Sequence, residues 1–262
     1  MKSLSFGNIE NFILIGGGAE LIFIIEELKK FKKNFIVLTN KRHLSTNINK
    51  KINFKNYLKK KEIVFYELIK FDEKHIWNNF ITKKSIGISV SSDWIFKNKD
   101  IQLFNRRLIN IHNSNLPEMR GAGGLSWNII MKNNASGVSA HMVDENIDTG
   151  LIIKQKSFKF QNFNDYSLDK LMKISLKKQK EFLQIFISNL INNKNFIIKK
   201  NMTDNSREEI YLPRLLSNKH SWINWNWESK HIISFIKAFS NPYPGAKTYL
   251  KNKIVKISNA SL

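Results

Sequence analysis

The sequence predicts an α/β fold built on a mostly parallel, doubly wound (Rossmann-like) sheet, and three observations carry that prediction. Short apolar runs alternate with helical stretches through the first part of the chain, the order that generates βαβ units. Glycines 16, 17 and 18 fall where the first apolar run meets the first helical stretch. One long amphipathic stretch ends the alternation, and a tail of different character follows, read as a small C-terminal β-rich appendage.

The elements follow in order. FILIG (12–16) is a buried strand closed by the glycines, and Leu21, Ile22, Ile25 and Leu28 give 19–30 a helical stripe. NFIVLT (34–39) is the second strand. Residues 40–61 are polar and lysine-rich, a loop with a little helix. EIVFYEL (62–68) is a third strand and FDEKHIWNNFI (71–81) a helix. SIGISV (85–90) is a fourth strand, followed by a turn at Ser91–Asp93. RRLINIH (106–112) is a fifth strand and SWNIIMK (126–132) a helix. GVSAHMV (137–143) and GLIIKQKSF (150–158) are two strands joined by DENIDT. The longest helix spans 165–190, with Leu168, Leu171, Met172, Ser175, Leu176, Phe182, Leu183, Phe186, Ile187 and Leu190 near a 3.6 period.

Composition narrows the function. The chain has 262 residues, 42% of them hydrophobic, enough to build a core and to exclude global disorder. Absence of cysteine excludes a disulfide scaffold, a zinc-thiolate site and a cysteine nucleophile. The formal net charge is +22, which raises the question of nucleic acid or an anionic surface. Arginine occurs only at 42, 106, 107, 120, 207 and 214, so lysine supplies 37 of the 43 cations. Nucleic-acid readers lean on the arginine fork, so this balance is read as a solvated lysine coat, with a working polyanion surface as the alternative. Between 101 and 150, Arg106, Arg107, Arg120 and Lys132 balance Glu118, Asp144, Glu145 and Asp148. No apolar run reaches the roughly 20 residues of a membrane span, and the N-terminal run reads as a strand rather than a signal peptide. A cytoplasmic protein is expected.

Two segments offer chemistry. The glycine turn invites a dinucleotide reading, but the third glycine of G-x-G-x-x-G falls on Leu21, and Asn40 stands where an acid would hold a ribose. A tight strand-to-helix turn is the preferred reading, with an anion at the helix N-terminus still open. The segment LINIHNSNLPEMRG (108–121) is more specific. Alternation puts Asn110, His112 and Ser114 on one strand face, running out at the carboxyl edge where parallel sheets bind ligands. Asp148 follows in the loop IDTG. An amide, an imidazole and a carboxylate together suit acyl transfer to an amine: an oxyanion donor, a proton acceptor and an orienting acid. A buried histidine satisfied by an aspartate is the bland alternative for each member taken singly.

The run N-I-H-x-S-x-L-P-x-x-R-G, then W-N-I-I, then G-V-S-A-H-M-V-x-x-x-I-D-T-G-x-I-I-x-Q resembles the 10-formyltetrahydrofolate-dependent formyltransferases, strongly over 85–158 and through the βαβ pattern alone over 10–84. The resemblance implies a catalytic trio of Asn110, His112 and Asp148, and a pterin side formed by the loop with Ser92, Asp93, Trp94 and Phe96 and the loop with Val143, Asp144 and Glu145. It implies 10-formyltetrahydrofolate as co-substrate and no metal. GAGG (121–124) departs from the family, many members having a proline before the helix that carries Trp127. His141 resembles a family position too, but a satisfied strand histidine is the preferred reading. Arg120 either holds a substrate anion or pins its loop to Glu118 or Asp148.

The tail refines the resemblance. Its anchor runs from Ile223 and Trp225 through Lys237-Ala238-Phe239 to Pro242-Tyr243-Pro244-Gly245-Ala246. It implies a catalytic domain (1–191), a linker (192–209) and a C-terminal subdomain (210–262) with one helix at 228–239. Only 16 residues follow Ala246, too few for the tRNA-gripping barrel of methionyl-tRNA formyltransferases. The sequence is therefore most similar to the sugar-nucleotide N-formyltransferases, which implies a nucleotide-linked amino sugar as acceptor and a place in lipopolysaccharide O-antigen biosynthesis. Arg120, Arg214 and Tyr243 are the candidate acceptor contacts. No membrane partner is expected, a homodimer is compatible, and tRNA enters only in the alternative reading, a methionyl-tRNA formyltransferase with a shortened tail. A catalytically silent nucleic-acid-binding protein on the same scaffold is the remaining class.

Overall fold

The computed structural model describes residues 2–48, 51–71, 78–200 and 210–261. A seven-stranded sheet organises the first part of the chain. Its strands are β1 (Asn11–Gly16), β2 (Asn34–Thr39), β3 (Phe65–Glu67), β4 (Ser85–Val90), β5 (Leu108–His112), β6 (Ala135–Met142) and β7 (Ile152–Lys159). The spatial order is β3-β2-β1-β4-β5-β6-β7. Pairings from β3 through β5 are parallel, and β5 pairs antiparallel with β6. The strand order reverses between β1 and β4, so the crevice at their carboxyl ends is a topological switch point.

The apolar pattern explains the layers. β4 is buried at all six positions, as a strand covered on both faces must be. Phe12 and Leu14 of β1 face one core with α1 (Ala19–Lys30), while Ile13 and Ile15 face a second core with Phe71, Phe96 and Phe104. α1 buries Leu21, Ile24, Ile25 and Leu28, and places Glu20 in its first turn and Lys29 and Lys30 in its last, matching its dipole. The long helix α6 (Leu168–Ile191) contributes Phe182, Leu183, Phe186 and Ile187 to the first core.

The glycine turn is a packing device. Gly16 has φ +112, and a Cβ there would lie 2.0 Å from the Val90 carbonyl oxygen. Gly17 donates its N–H to that same oxygen at 3.2 Å. With Glu20 in the first turn of α1, the helix start already carries its anionic complement.

Several expectations are corrected. The third strand is only Phe65–Glu67, because 62–64 are spent closing the turn after α3 (Phe54–Lys60), with Ile63 N–H bonded to Leu58 O. The helix expected over 71–81 lies largely outside the described residues, and Asn78–Phe80 form one 3-10 turn. A helix not foreseen, α4 (Asn98–Leu103), precedes β5, and Asp100 accepts from the Lys97 N–H at 3.0 Å to cap it. In the segment read as a linker, Phe196–Ile197 pair antiparallel with Ser3–Leu4, and Lys199 bridges Ile152. Its remainder, 201–209, lies outside the described residues.

The chain packs as two compact units, each discontinuous in sequence, whereas the sequence reading has three consecutive segments. One comprises Met1–His112, Val138–Lys156 and Gln179–Met202; the other comprises Asn113–Gly137, Ser157–Lys178 and Thr203–Leu262. In the second, Met119–Gly121 pair in parallel with Ile210–Leu212, and a hairpin joins Ala246–Leu250 to Lys253–Ile257. A helix at Ser229–Ala238 packs Phe235, Ile236 and Ala238 with Ile129 and Phe160. Among the described residues no helix is long and apolar enough to cross a membrane.

Candidate active site

Strand register assembles the centre. Asn110 and His112 alternate along β5, and the antiparallel partner β6 sets His141 opposite Asn110 and Ser139 opposite His112. Cross-strand partners bring side chains within reach of one another, so the register itself puts an imidazole beside the amide. Asn110 Nδ2 lies 3.1 Å from His141 Nε2. His141 Nδ1 lies 2.8 Å from the Met142 carbonyl oxygen, to which only an N–H can donate. In the neutral ring that tautomer leaves Nε2 bare, an acceptor for Asn110.

Asp148 arrives from the loop after β6. Its Oδ2 is 3.5 Å from His112 Nδ1, and its Oδ1 is 3.3 Å from both Asn110 Nδ2 and His141 Nε2. The side chains of His112, Asp148 and His141 are 12%, 10% and 3% exposed, so the contacts of Asp148 with His112 and Asn110 operate with little water to screen them.

The loop is shaped for this placement. Asp148 has φ +54, a left-handed conformation that aspartate tolerates better than most residues. Gly150 admits no side chain, since a Cβ would lie 1.8 Å from Met142 O. Asp144 Oδ1 accepts from Thr149 Oγ1 at 2.6 Å and from the Asn146 N–H at 3.3 Å, bracing both sides of the turn. The bracing role of Thr149 was missed in the sequence, although it lies inside the IDTG motif.

The candidate folate loops have distinct characters. Phe96 is buried, its ring centroid 5.0 Å from that of Phe71, so its ring is committed to the core. Trp94 is half-buried against Phe71, and Ile95 beside it is 70% exposed. Ser92 Oγ accepts from the Trp94 N–H at 3.1 Å, and Asp93 is bonded to Asn40 and Arg42. Val143 packs at the edge of the second core and donates its N–H to Leu108 O, while Glu145 is exposed. A half-exposed indole beside an exposed Ile95 suits a flat heteroaromatic ligand.

Ser114 does not share the trio's face. β5 ends at His112, and the buried Ser114 hydroxyl donates to Met119 O at 2.6 Å, closing its own loop. Arg120, Arg214 and Tyr243 lie in the second packing unit. Arg120 stands across from Tyr211 in the register of the Met119–Gly121 pair, Arg214 follows that pair exposed, and Tyr243 is 39% exposed. In GAGG, Gly121 (φ +94) would place a Cβ 2.2 Å from Leu212 O, and Gly123 (φ +77) is the left-handed cap of α5 (Gly124–Ile130). Trp127 of that helix donates to Pro213 O at 2.9 Å. Among the described residues no group of three or more His, Asp or Glu is placed to hold a metal ion.

A mostly parallel sheet that brings an amide, an imidazole and a carboxylate together at one edge holds the groups that acyl transfer to an amine uses. Residues 87–187 match the formyl transferase family and residues 215–262 match the formyl transferase C-terminal domain, so the chain belongs to the formyltransferase family. It is 32% identical over 154 residues to a methionyl-tRNA formyltransferase of Clostridium tetani, covering 59% of this chain and 47% of that protein. The chain spans about a third to three fifths of the length of the first curated relatives it matches. Among solved structures, it is similar to a 4-N formyltransferase from Francisella tularensis, with TM-score 0.73, 20% identity, and coverage of 98% of this chain and 100% of that one. It is also similar to an N-formyltransferase from Helicobacter canadensis in complex with folinic acid and dTDP-3-aminofucose, with TM-score 0.70, 24% identity, and coverage of 88% and 80%.

Proposed function

We propose that this protein transfers a formyl group from 10-formyltetrahydrofolate to the amino group of a nucleotide-linked amino sugar. The observation that carries the formyl-transfer reading is the mutual placement of Asn110, His112 and Asp148. The folate supplies an activated formyl carbon. The acceptor amine must be neutral to attack it. His112 takes the amine proton at Nε2, while Asp148 faces Nδ1, fixes the ring and stabilises the imidazolium that forms. Asn110 Nδ2 donates to the formyl oxygen as negative charge develops on it. Its two N–H groups are directed at His141 and Asp148, so one must be released to the substrate, and the longer Asp148 contact is the one to yield. Asp148 then helps pass the proton toward the departing folate nitrogen.

The sugar acceptor is supported by the Helicobacter structure, which aligns over most of both chains and holds dTDP-3-aminofucose, and by the charge balance of the 101–150 stretch. A tRNA acceptor stem brings a dense row of phosphates, which a neutral catalytic stretch does not match. The second reading, a methionyl-tRNA formyltransferase, is favoured by the Clostridium relative and by the overall charge of +22. The test is formyl transfer from radiolabelled 10-formyltetrahydrofolate at physiological salt, offered a panel of amino-sugar nucleotides and charged initiator methionyl-tRNA. Turnover on a sugar nucleotide is expected. Efficient formylation of the tRNA with none of the sugars selects the second reading, and no turnover on either removes both.

A further inference from the structure

The glycine turn, the short helix α2 (Lys41–Leu44) and the loop 91–96 are tied together at the switch point, and Asp93 is the hub. Its Oδ2 accepts from Asn40 Nδ2 at 2.9 Å and from Arg42 Nε at 2.5 Å. Arg42 Nη2 donates to His43 Nε2 at 3.0 Å, and that nitrogen lies 4.0 Å from Asp93 Oδ2. The His43 ring is buried against Gly17, where a Cβ would come within 2.5 Å of it. Asn40 works in two directions. Its Oδ1 accepts from the His43 N–H at 3.0 Å and caps α2, while its Nδ2 reaches the loop.

We propose that Asn40 and Arg42, acting through Asp93, are positioning residues that hold the donor-binding loop 91–96 in place; the inference rests on the folate reading of that loop. The loop leaves β4 through Ser91 at φ +52 and is no longer carried by the sheet ladder beyond Val90. Side chains must therefore fix it, and Asp93 meets its fixed neighbours through charge-assisted bonds to an element anchored at the end of β2. Arg42 is half exposed, at 53%, so screening keeps its contribution to global stability small. Its effect belongs to where the loop sits, which is what a bound heterocycle would sense. Asp93 Oδ2, already taken by two donors, serves as the anchor of the loop. The glycines acquire a purpose: Gly16 lets the loop approach β1 closely, and Gly17 lets His43 close beneath it.

The experiment is equilibrium binding of folinic acid, a stable analogue of the donor, followed by calorimetry with a thermal melt of each protein. Arg42→Gln and Asp93→Asn are each expected to weaken folinic acid about tenfold with the melt nearly unmoved, the scale of one lost charge-assisted hydrogen bond. The double variant is expected to lose no more than Asp93→Asn alone, since the contact Arg42 makes is one of those Asp93 carries. Arg42→Lys should recover part of the affinity. Asn40→Asp, which keeps the α2 cap and sets a second carboxylate against Asp93, should weaken binding even if another variant folds poorly. Variants that bind like the wild type, or that melt early while binding unchanged, overturn the positioning role alone. A wild-type protein that binds no folate overturns the folate reading, and this inference with it.

Discussion

Two places on one sheet edge look alike in sequence and differ in use. The Gly16–Gly18 turn after β1 and the Asn110–His112 end of β5 both carry unusual residues at the carboxyl edge. At the first, each unusual residue answers a steric demand: Val90 O against Gly16, the His43 ring against Gly17. At the second, steric demand accounts for the glycine, Gly150, while Asn110, His112 and Asp148 satisfy one another at 3.3–3.5 Å in a site about one tenth exposed. Glycines at an edge thus report close approach of backbone, and polar groups aimed at each other there report either an anchor, as at Asp93, or a candidate for chemistry, as at Asp148. Where a motif holds both, they must be assigned separately.

The strongest way to break this comparison is at β5. His112→Asn and Asp148→Asn should each fold normally and lose about 100- to 10,000-fold in kcat, the range for a positioned general base. Near-normal turnover of both at saturating donor would move the chemistry elsewhere. Asn110→Ala comes next, with an expected loss of about 100- to 1,000-fold in kcat for one oxyanion donor. If its loss is confined to KM, Asn110 binds substrate and does not stabilise the transition state.

Changes at the glycine turn should instead show in stability. Gly16→Ala must shift Val90 or abandon φ +112, and should destabilise by roughly 3 kcal/mol, read as a melting point lower by about 6–12 °C. Gly7→Ala is the control, because Gly7 also has positive φ, +62, but nothing lies within 4 Å of its Cβ position. Equal losses at both sites would mean that φ, and not the close approach of the loop, requires Gly16. The smallest effect is expected at Thr149→Val, which removes the bond to Asp144 at 2.6 Å and should cost about 1 kcal/mol with a small drop in kcat. A kcat loss as large as that of Asp148→Asn would show that Asp148 depends on this brace.

What the sequence determined by itself is local. Apolar runs closed by glycine made β1, β2 and β4 legible, because a strand buried on both faces needs an unbroken run. A stripe at 3.6 spacing made α1 and α6 legible within three residues at each end. The spacing of Asn110, His112 and Asp148, with its family resemblance, pointed to the centre, but alternation carried past His112 placed Ser114 there wrongly. Nothing local announces that β5 ends at His112. Only the tertiary structure decided which side chains meet. The antiparallel register of β6 set His141 against Asn110. The close approach of the Val90 and Ser92 backbone to β1 leaves no room for a side chain at Gly16, and the approach of α2 gave Asn40 and Arg42 a partner more than fifty residues away. The physical reason is the same each time. Propensity and periodicity act over one element, whereas contact between elements is set by register and by the closest distance two backbones can reach.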